Sequence, residues 1–355
     1  MKHRMGFIGF GQMGSNYHYQ IAKDRKDVCD DLSPVAVYDV RESQRILAEQ
    51  RGLRAYDNID SFLSDNEFDI VVVATPNNFH KEMTIKALNA SKHVVCEKPA
   101  AMSPEELEEM IDTAQNCGKK LFIHQNRRYD VDLQLIKHAI DSGRMGKVKF
   151  IESSFTGGYM QEWRAFADHG GGILYDWGVH LIDQMVYLAN ERPIKVYANL
   201  NNDELKEVDD RSYIEITFKS GFKAKISVAS SFHIPLPRFV VYGENTQLIV
   251  NNIYDKQGIL TYNENGEYET KEYDAYGKFG AYKRTQKMPV INKKTINYPD
   301  DYFDSSWEWA KFYKAIFDSI DYNSPLPVPY KQAMYVLKII EAAQHSSNIG
   351  MPIML

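Results

Sequence analysis

The sequence predicts a chain in two parts: an α/β, doubly wound parallel sheet over residues 1–124, then an α+β part with a mostly antiparallel sheet over residues 125–355. Three observations predict this. Apolar, β-branched runs alternate with helical stretches in the first third, a glycine-spaced turn follows the first run directly, and beyond about residue 145 strand-like runs succeed one another without crossover helices.

Met5-Gly6-Phe7-Ile8 is the first run, and it feeds into Gly9-Phe10-Gly11-Gln12-Met13-Gly14. In that spacing the glycines allow a tight turn, close backbone approach to a pyrophosphate and close packing of helix on strand, while the opening helix points its amides at the phosphates. The unit is the dinucleotide-binding Rossmann pattern, with Gly9, Phe10, Gly11, Gln12, Met13 and Gly14 as the candidate cradle. A second strand, Val35–Tyr38, ends at Asp39, where a carboxylate can accept both hydroxyls of an adenosine ribose and repel a 2′-phosphate, which favours NAD. Arg41 stands two residues on and suits that phosphate, so NADP stays open.

Ile70–Ala74 is apolar throughout, as a strand buried on both faces must be, and stops at Thr75-Pro76-Asn77. His93–Cys96 is the next strand and stops at Glu97-Lys98-Pro99. Ser103-Pro104-Glu105-Glu106 reads as a helix cap with proline at the first helical position, and Gly118 ends that helix. Leu121–Ile123 completes the first part.

Strand-like runs then cover Val148–Phe155, Ile194–Leu200, Tyr213–Phe218, Lys223–Ser231, Phe239–Tyr242 and Thr246–Val250, with a hairpin expected at Ser220-Gly221. One helix interrupts them. Leu174, Trp177, Leu181, Met185 and Leu188 give its apolar side, and Asp176, His180, Asp183 and Gln184 lie on another. A closing helix is predicted from Tyr330 to about Ser346. Tyrosines crowd the stretch between Tyr254 and Tyr302, where aliphatic residues thin out, which suits exposed strands, loops or a subunit surface.

Asp176 and His180 stand four residues apart, so on one face of a helix a carboxylate can hold an imidazole and raise its basicity. The plain alternative is a polar stripe on a surface helix. Lys98, at a strand's carboxyl end, can place an ammonium against a developing alkoxide; the alternative is a solvated turn lysine. Gly170-Gly171-Gly172 lets the backbone pass close to a ligand, or is merely flexible.

Composition narrows the class. Charged residues make up 25% and the net charge is −6 with no basic block, so nucleic acid is not an expected partner. Ten scattered histidines without paired ligand spacing argue for no metal. Cys29, Cys96 and Cys117 have no bridging pattern, the glycine turn leaves no room for a leader before it, and no apolar run approaches the roughly 18 residues of a membrane span. A cytoplasmic protein that avoids membranes is the expectation.

Together, Gly9 to Gly14, Ala74-Thr75-Pro76-Asn77 with His80, Glu97-Lys98-Pro99, Asn126-Arg127-Arg128, Trp163-Arg164 and Gly171-Gly172-x-x-x-Asp176-x-Gly178-x-His180 resemble the Gfo/Idh/MocA oxidoreductases. His124 to Asp130 and Leu174-Tyr175-Asp176 look most like the scyllo-inositol dehydrogenase branch; several of its members prefer NADP, and Asp39 departs from it. The resemblance runs end to end and is weakest from about 252 to 300.

It implies Lys98, Asp176 and His180 as the catalytic set, and Thr75, Pro76, Asn77, His80, Glu97, Lys98, Asn126, Trp163 and Arg164 around NAD or NADP. Arg127, Tyr129, Phe155 and Tyr282 would join the catalytic set around a polyol or sugar, with an open-faced sheet forming a homodimer or homotetramer. Such a protein is a dehydrogenase of CH–OH groups. The alternatives are an NAD-dependent glycosidase that oxidises its sugar transiently, and a non-catalytic nucleotide sensor.

Overall fold

A computed structural model describes residues 3–29, 32–157, 162–202, 207–230, 236–263, 266–277, 280–298 and 305–355. Six strands form the first sheet: β1 (His3–Ile8), β2 (Leu32–Tyr38), β3 (Arg54–Tyr56), β4 (Ile70–Val73), β5 (His93–Cys96) and β6 (Leu121–Ile123). They are all parallel, in the order β3-β2-β1-β4-β5-β6. Every residue of β4 and β6 is buried, as the uninterrupted apolar runs require. The order reverses at β1, and the loops after β1, β4 and β5 therefore open onto one crevice at the carboxyl ends of the strands.

The second sheet is built from β7 (Phe150–Thr156), β8 (Pro193–Asn201), β9 (Arg211–Phe218), β10 (Lys223–Ala229), β11 (Phe239–Tyr242), β12 (Thr246–Val250) and β13 (Gln257–Tyr262). A separate ribbon, β14 (Tyr268–Gly277) and β15 (Gly280–Pro289), precedes β16 (Asn292–Asn297) and β17 (Ile353–Met354), which join the second sheet at its two edges. All its pairings are antiparallel except β7 with β10, so "mostly antiparallel" holds with one parallel seam. The expected hairpin joins β9 to β10, with Gly221 at φ +88. The end of the Lys223–Ser231 run, Ser231 itself, lies outside the described residues.

Two helices close the chain. Tyr330–Ile349 packs along β8 and stops at Gly350, which takes the left-handed conformation (φ 68). Ser305–Tyr322 was not expected, and it crosses back to the first sheet: Phe317 stacks on His3 of β1, His3 donates to Asp321, and Trp309 packs on Tyr17. The first sheet's last strand ends at Ile123 and the second sheet's first begins at Phe150, yet the first sheet carries a cover from the far end of the sequence.

Candidate active site

The glycine turn after β1 shows three different needs. Gly9 has φ +89, and a Cβ there would meet the carbonyl oxygen of Ala74 at 2.6 Å; a Cβ on Gly14 would meet the carbonyl of Gly9 at 2.4 Å. Those two glycines fix the turn and the packing of helix on strand. A Cβ on Gly11 meets only the end of the Arg41 side chain, at 3.2 Å, so Gly11 is the place left open for close approach. Gln12 is exposed and Met13 half-buried on the first helical turn.

Asp39 is buried and accepts the Phe10 amide at 2.8 Å and the Arg41 amide at 2.9 Å, one on each oxygen. Oδ2 keeps a lone pair for a ribose hydroxyl, while Oδ1 is shared with the Arg41 side chain. Arg41 is about half exposed and leans on the same carboxylate at 3.4 Å. At the end of β4, the Thr75 hydroxyl oxygen is buried with no hydrogen-bond partner. An orphaned buried hydroxyl beside an open glycine and a fixed acid fits a dinucleotide.

Asn77, His80 and Glu97 reach the edge of the crevice but turn their side chains into the frame. Asn77 Nδ2 donates to the Gly170 carbonyl at 2.8 Å, a direct bond between the two halves. His80 is fully buried, and its Nδ1 donates to Pro99 at 2.7 Å; burial holds the imidazole below its ordinary pKa, so it is a neutral strut with its other nitrogen near the Thr75 carbonyl.

Glu97 accepts His18 Nε2 and His124 Nδ1 on one oxygen, both at 2.8 Å, and the Lys98 amide on the other. Burial pushes its carboxyl up, but the two imidazoles outweigh that and hold it well below the usual range. The Tyr313 hydroxyl donates to His18 Nδ1, so the helix Ser305–Tyr322 closes this knot. These three side chains thus have partners within the frame, as buried donors and acceptors require. His18, Glu97 and His124 also bring three potential metal ligands together, where no metal was expected; the hydrogen bonds account for every one of the three facing atoms.

Two of the catalytic candidates, Lys98 and Asp176, meet directly. Lys98 Nζ donates to the Asp176 carbonyl at 2.6 Å and to Asp176 Oδ1 at 3.2 Å, and Arg164 Nε reaches the same Oδ1 at 3.3 Å. Burial raises the Asp176 carboxyl, but Lys98 and Arg164 together pull it below its ordinary value. The expected bond from Asp176 to His180 is not made. Asp176 lies in a π-type turn, Leu174–Gly178, ahead of the α-helix Val179–Ala189 that carries His180, and two cations compete for the carboxylate against an uncharged ring. His180 is neutral: burial first, then the Lys98 and Arg127 charges, holds it well below 6.5. Its Nδ1 is buried without a partner.

The triple glycine is not slack. A Cβ on Gly170 would strike Met102 and Asn77, one on Gly171 the Arg164 carbonyl at 2.2 Å, and one on Gly172 the Asp209 carboxylate at 2.2 Å. Asp209 in turn accepts the Leu174 amide at 2.9 Å and so caps the turn that carries Asp176.

The remaining candidates separate. Phe155 and Trp177 stack with centroids 3.5 Å apart, Arg127 lies 4.1 Å over Trp177, and Trp177 meets His180 edge-on at 6.0 Å. Arg164 covers Trp163 at 4.5 Å. Asn126 is buried in the short turn before Arg127, Pro76 half-buried in the turn before Asn77, and Tyr129 packs edge-on against Phe312 in the core. Tyr282 stands apart on the outer ribbon, 53% exposed and paired with Ala275, and among the described residues nothing links it to the trio. Trp177, His18, His124 and Tyr254 are not among the predicted site residues; Trp177 reads as a core residue from its spacing alone, and a lone histidine carries no local signal.

Residues 3–125 match the oxidoreductase family with an NAD-binding Rossmann fold, and residues 133–249 match the GFO/IDH/MocA C-terminal domain. An NAD-binding protein from Listeria innocua shares 32% identity over 100% of this chain and 97% of its own, with a TM-score of 0.83. The chain belongs to the Gfo/Idh/MocA family. Among its relatives in this family, the NADP-dependent scyllo-inositol 2-dehydrogenase IolW of Bacillus subtilis (strain 168) is 28% identical over 99% of this chain and 96% of the relative. A D-glucoside 3-dehydrogenase of Escherichia coli (strain K12) is 35% identical over 54% of this chain and 55% of the relative. As a Gfo/Idh/MocA oxidoreductase the protein uses NAD(P), and no helix among the described residues is long and apolar enough to cross a membrane.

Proposed function

We propose that this protein is a dehydrogenase that exchanges a hydride and a proton with one CH–OH group of a ring polyol or sugar. The observation that carries the reading is the Lys98 ammonium held at the end of β5 by the Asp176 carbonyl and carboxylate, together with a buried His180 whose Nδ1 has no partner and whose imidazole the Lys98 charge helps to hold below its ordinary pKa. The two relatives named above are by name dehydrogenases of scyllo-inositol and of D-glucosides, which supports this substrate class.

The nicotinamide, when bound, takes or gives the hydride. His180 takes the hydroxyl proton, because its imidazole keeps a free lone pair at neutral pH. Lys98 has three N–H donors and the frame uses two of them, on the Asp176 carbonyl and carboxylate, which leaves one for the substrate oxygen as it gains charge. Asp176 acts on Lys98 and Arg164 rather than on the imidazole. The orphaned Thr75 hydroxyl, the open Gly11 and Asp39 hold the dinucleotide.

Asp39 supports NAD over NADP, since a 2′-phosphate would meet a fixed carboxylate there. A homodimer or homotetramer through the uncovered face of the second sheet is part of the same reading: Tyr213 and Ile249 are half-buried there and Ile259 is 43% exposed. A cytoplasmic location fits the free Cys96 and Cys117.

A screen of inositols, aldoses and sugar acids with NAD and with NADP tests the proposal by cofactor absorbance. Steady accumulation of reduced NAD with an inositol or aldose is the expected result. Release of an aglycone from a glycoside without net reduction would replace it with the glycosidase reading, and bound nucleotide without any turnover with the sensor.

A further inference from the structure

Tyr254 lies in the loop between β12 and β13 with its backbone in the left-handed region, at φ 67. Among the described residues the other non-glycine positions with positive φ are Ser91, Glu162, Asn190 and Asn323, so Tyr254 is the aromatic one. A bulky side chain rarely takes this conformation, and such positions concentrate where a group must be aimed. What Tyr254 is aimed at is visible. Its hydroxyl accepts a hydrogen bond from Arg127 Nη1 at 3.3 Å, while its side chain stays 39% exposed.

Arg127 is the next link inward. Its guanidinium lies over Trp177, which stacks on Phe155 and meets His180 edge-on. A continuous wall therefore runs from the base outward through Trp177 and Arg127 to Tyr254. Its charge is already balanced: Arg127 donates to Asp130 at 3.0 Å, and behind it Arg128 pairs with Asp183 and Arg238 with Asp132. An anionic substituent at this wall would have to compete with Asp130 for Arg127 and would face that carboxylate.

An uncharged ring meets no such penalty. Its C–H faces suit the aromatic rings, and its hydroxyls suit a phenol that keeps its own proton to donate.

We infer that Tyr254 is a specificity-determining residue of this site, its hydroxyl acting with the Arg127 guanidinium to hold hydroxyls of an uncharged ring polyol or sugar on the side remote from His180. The inference rests on the dehydrogenase reading above and adds the substrate's charge and the residue that reads its far edge.

The test compares the full-length protein with its Tyr254→Phe variant on myo-inositol, scyllo-inositol and glucose, with glucuronate and an inositol monophosphate as charged counterparts. Loss of one hydroxyl that binds a substrate hydroxyl should raise KM about tenfold with kcat within about threefold. The NAD dissociation constant, read by protein fluorescence, should stay the same, which a general disturbance of the fold would not allow.

Charged counterparts should show kcat/KM at least ~100-fold below the neutral ones. A Tyr254→Gly variant, freed of the strained backbone, should gain thermal stability and still show the raised KM. An active wild type whose Tyr254→Phe variant keeps the same KM, or which prefers a charged substrate, overturns the role of Tyr254 alone. A wild type that turns over none of the panel overturns the dehydrogenase reading and this inference with it.

Discussion

Replacing Asp176 with asparagine keeps the shape of the side chain and removes the charge that Lys98 and Arg164 share. The two cations stand 3.2 and 3.3 Å from the same oxygen. At an effective dielectric of about 20, each contact carries ~5 kcal/mol of gross attraction. All three side chains are between 12% and 21% exposed, so water and the cost of burying the ions offset much of this. Removing one partner of such a pair costs about 3–5 kcal/mol. If about 3–4 kcal/mol of that is felt where Lys98 meets the reacting oxygen, kcat/KM falls ~100- to 1,000-fold.

The assay is a double-mutant cycle on kcat/KM with Asp176→Asn, Lys98→Met and both together. Because Asp176 acts through Lys98, the double variant should be no worse than the poorer single one. Losses that multiply in this cycle, while Asp176→Asn and His180→Ala fail to multiply, would refute the geometry and restore the carboxylate to the imidazole.

His180→Ala should lower kcat by ~100-fold or more with NAD affinity retained, measured by fluorescence titration; normal turnover would remove the base from the scheme. The pH profile follows from the same ring. A base whose pKa is lowered keeps its active neutral form into more acid solution, so the acid limb of kcat/KM should lie below pH 6.5, and a limb at or above that value contradicts a buried neutral His180. The linked stability has the same sign: the unfolded chain takes up a proton near pH 6.5 that the native ring refuses, so this contribution is present above 6.5 and lost as pH falls below it. Gly171→Ala places a methyl group 2.2 Å from a backbone oxygen, and thermal denaturation should show a loss of ~1–3 kcal/mol. A variant as stable as the parent would mean that the triplet is slack after all.

Much of the first sheet is legible in the sequence because burial on both faces leaves a mark. His93–Cys96 and Leu121–Ile123 occur with the predicted bounds, and Ile70–Ala74 is one residue shorter. β3 was missed: it has three residues, and Arg54 at its start is exposed. The helix Ser305–Tyr322 was also missed, although Trp309, Phe312, Tyr313, Ile316 and Phe317 recur at helical spacing; it directly follows the tyrosine-rich stretch, whose exposed ribbon has no buried face to announce itself.

Within the site, the contact of Lys98 with Asp176 joins two predicted candidates, but spacing says only which residues share a face. It cannot say that two cations from other elements reach Asp176 first. Tyr254 is legible only as the first of a tyrosine-rich stretch, since its place depends on a backbone conformation that a tyrosine does not advertise.

The cover that the helix Ser305–Tyr322 gives the first sheet bears on how this chain can be cut. Residues 1–124 look like a self-sufficient nucleotide-binding unit, yet a fragment ending there would leave His3 without Phe317 and Asp321, and His18 without the Tyr313 hydroxyl. A minimal nucleotide-binding unit would need this late helix supplied, tethered or fused. Exchanging only the leading half between relatives would pair a new inner surface with an old lid.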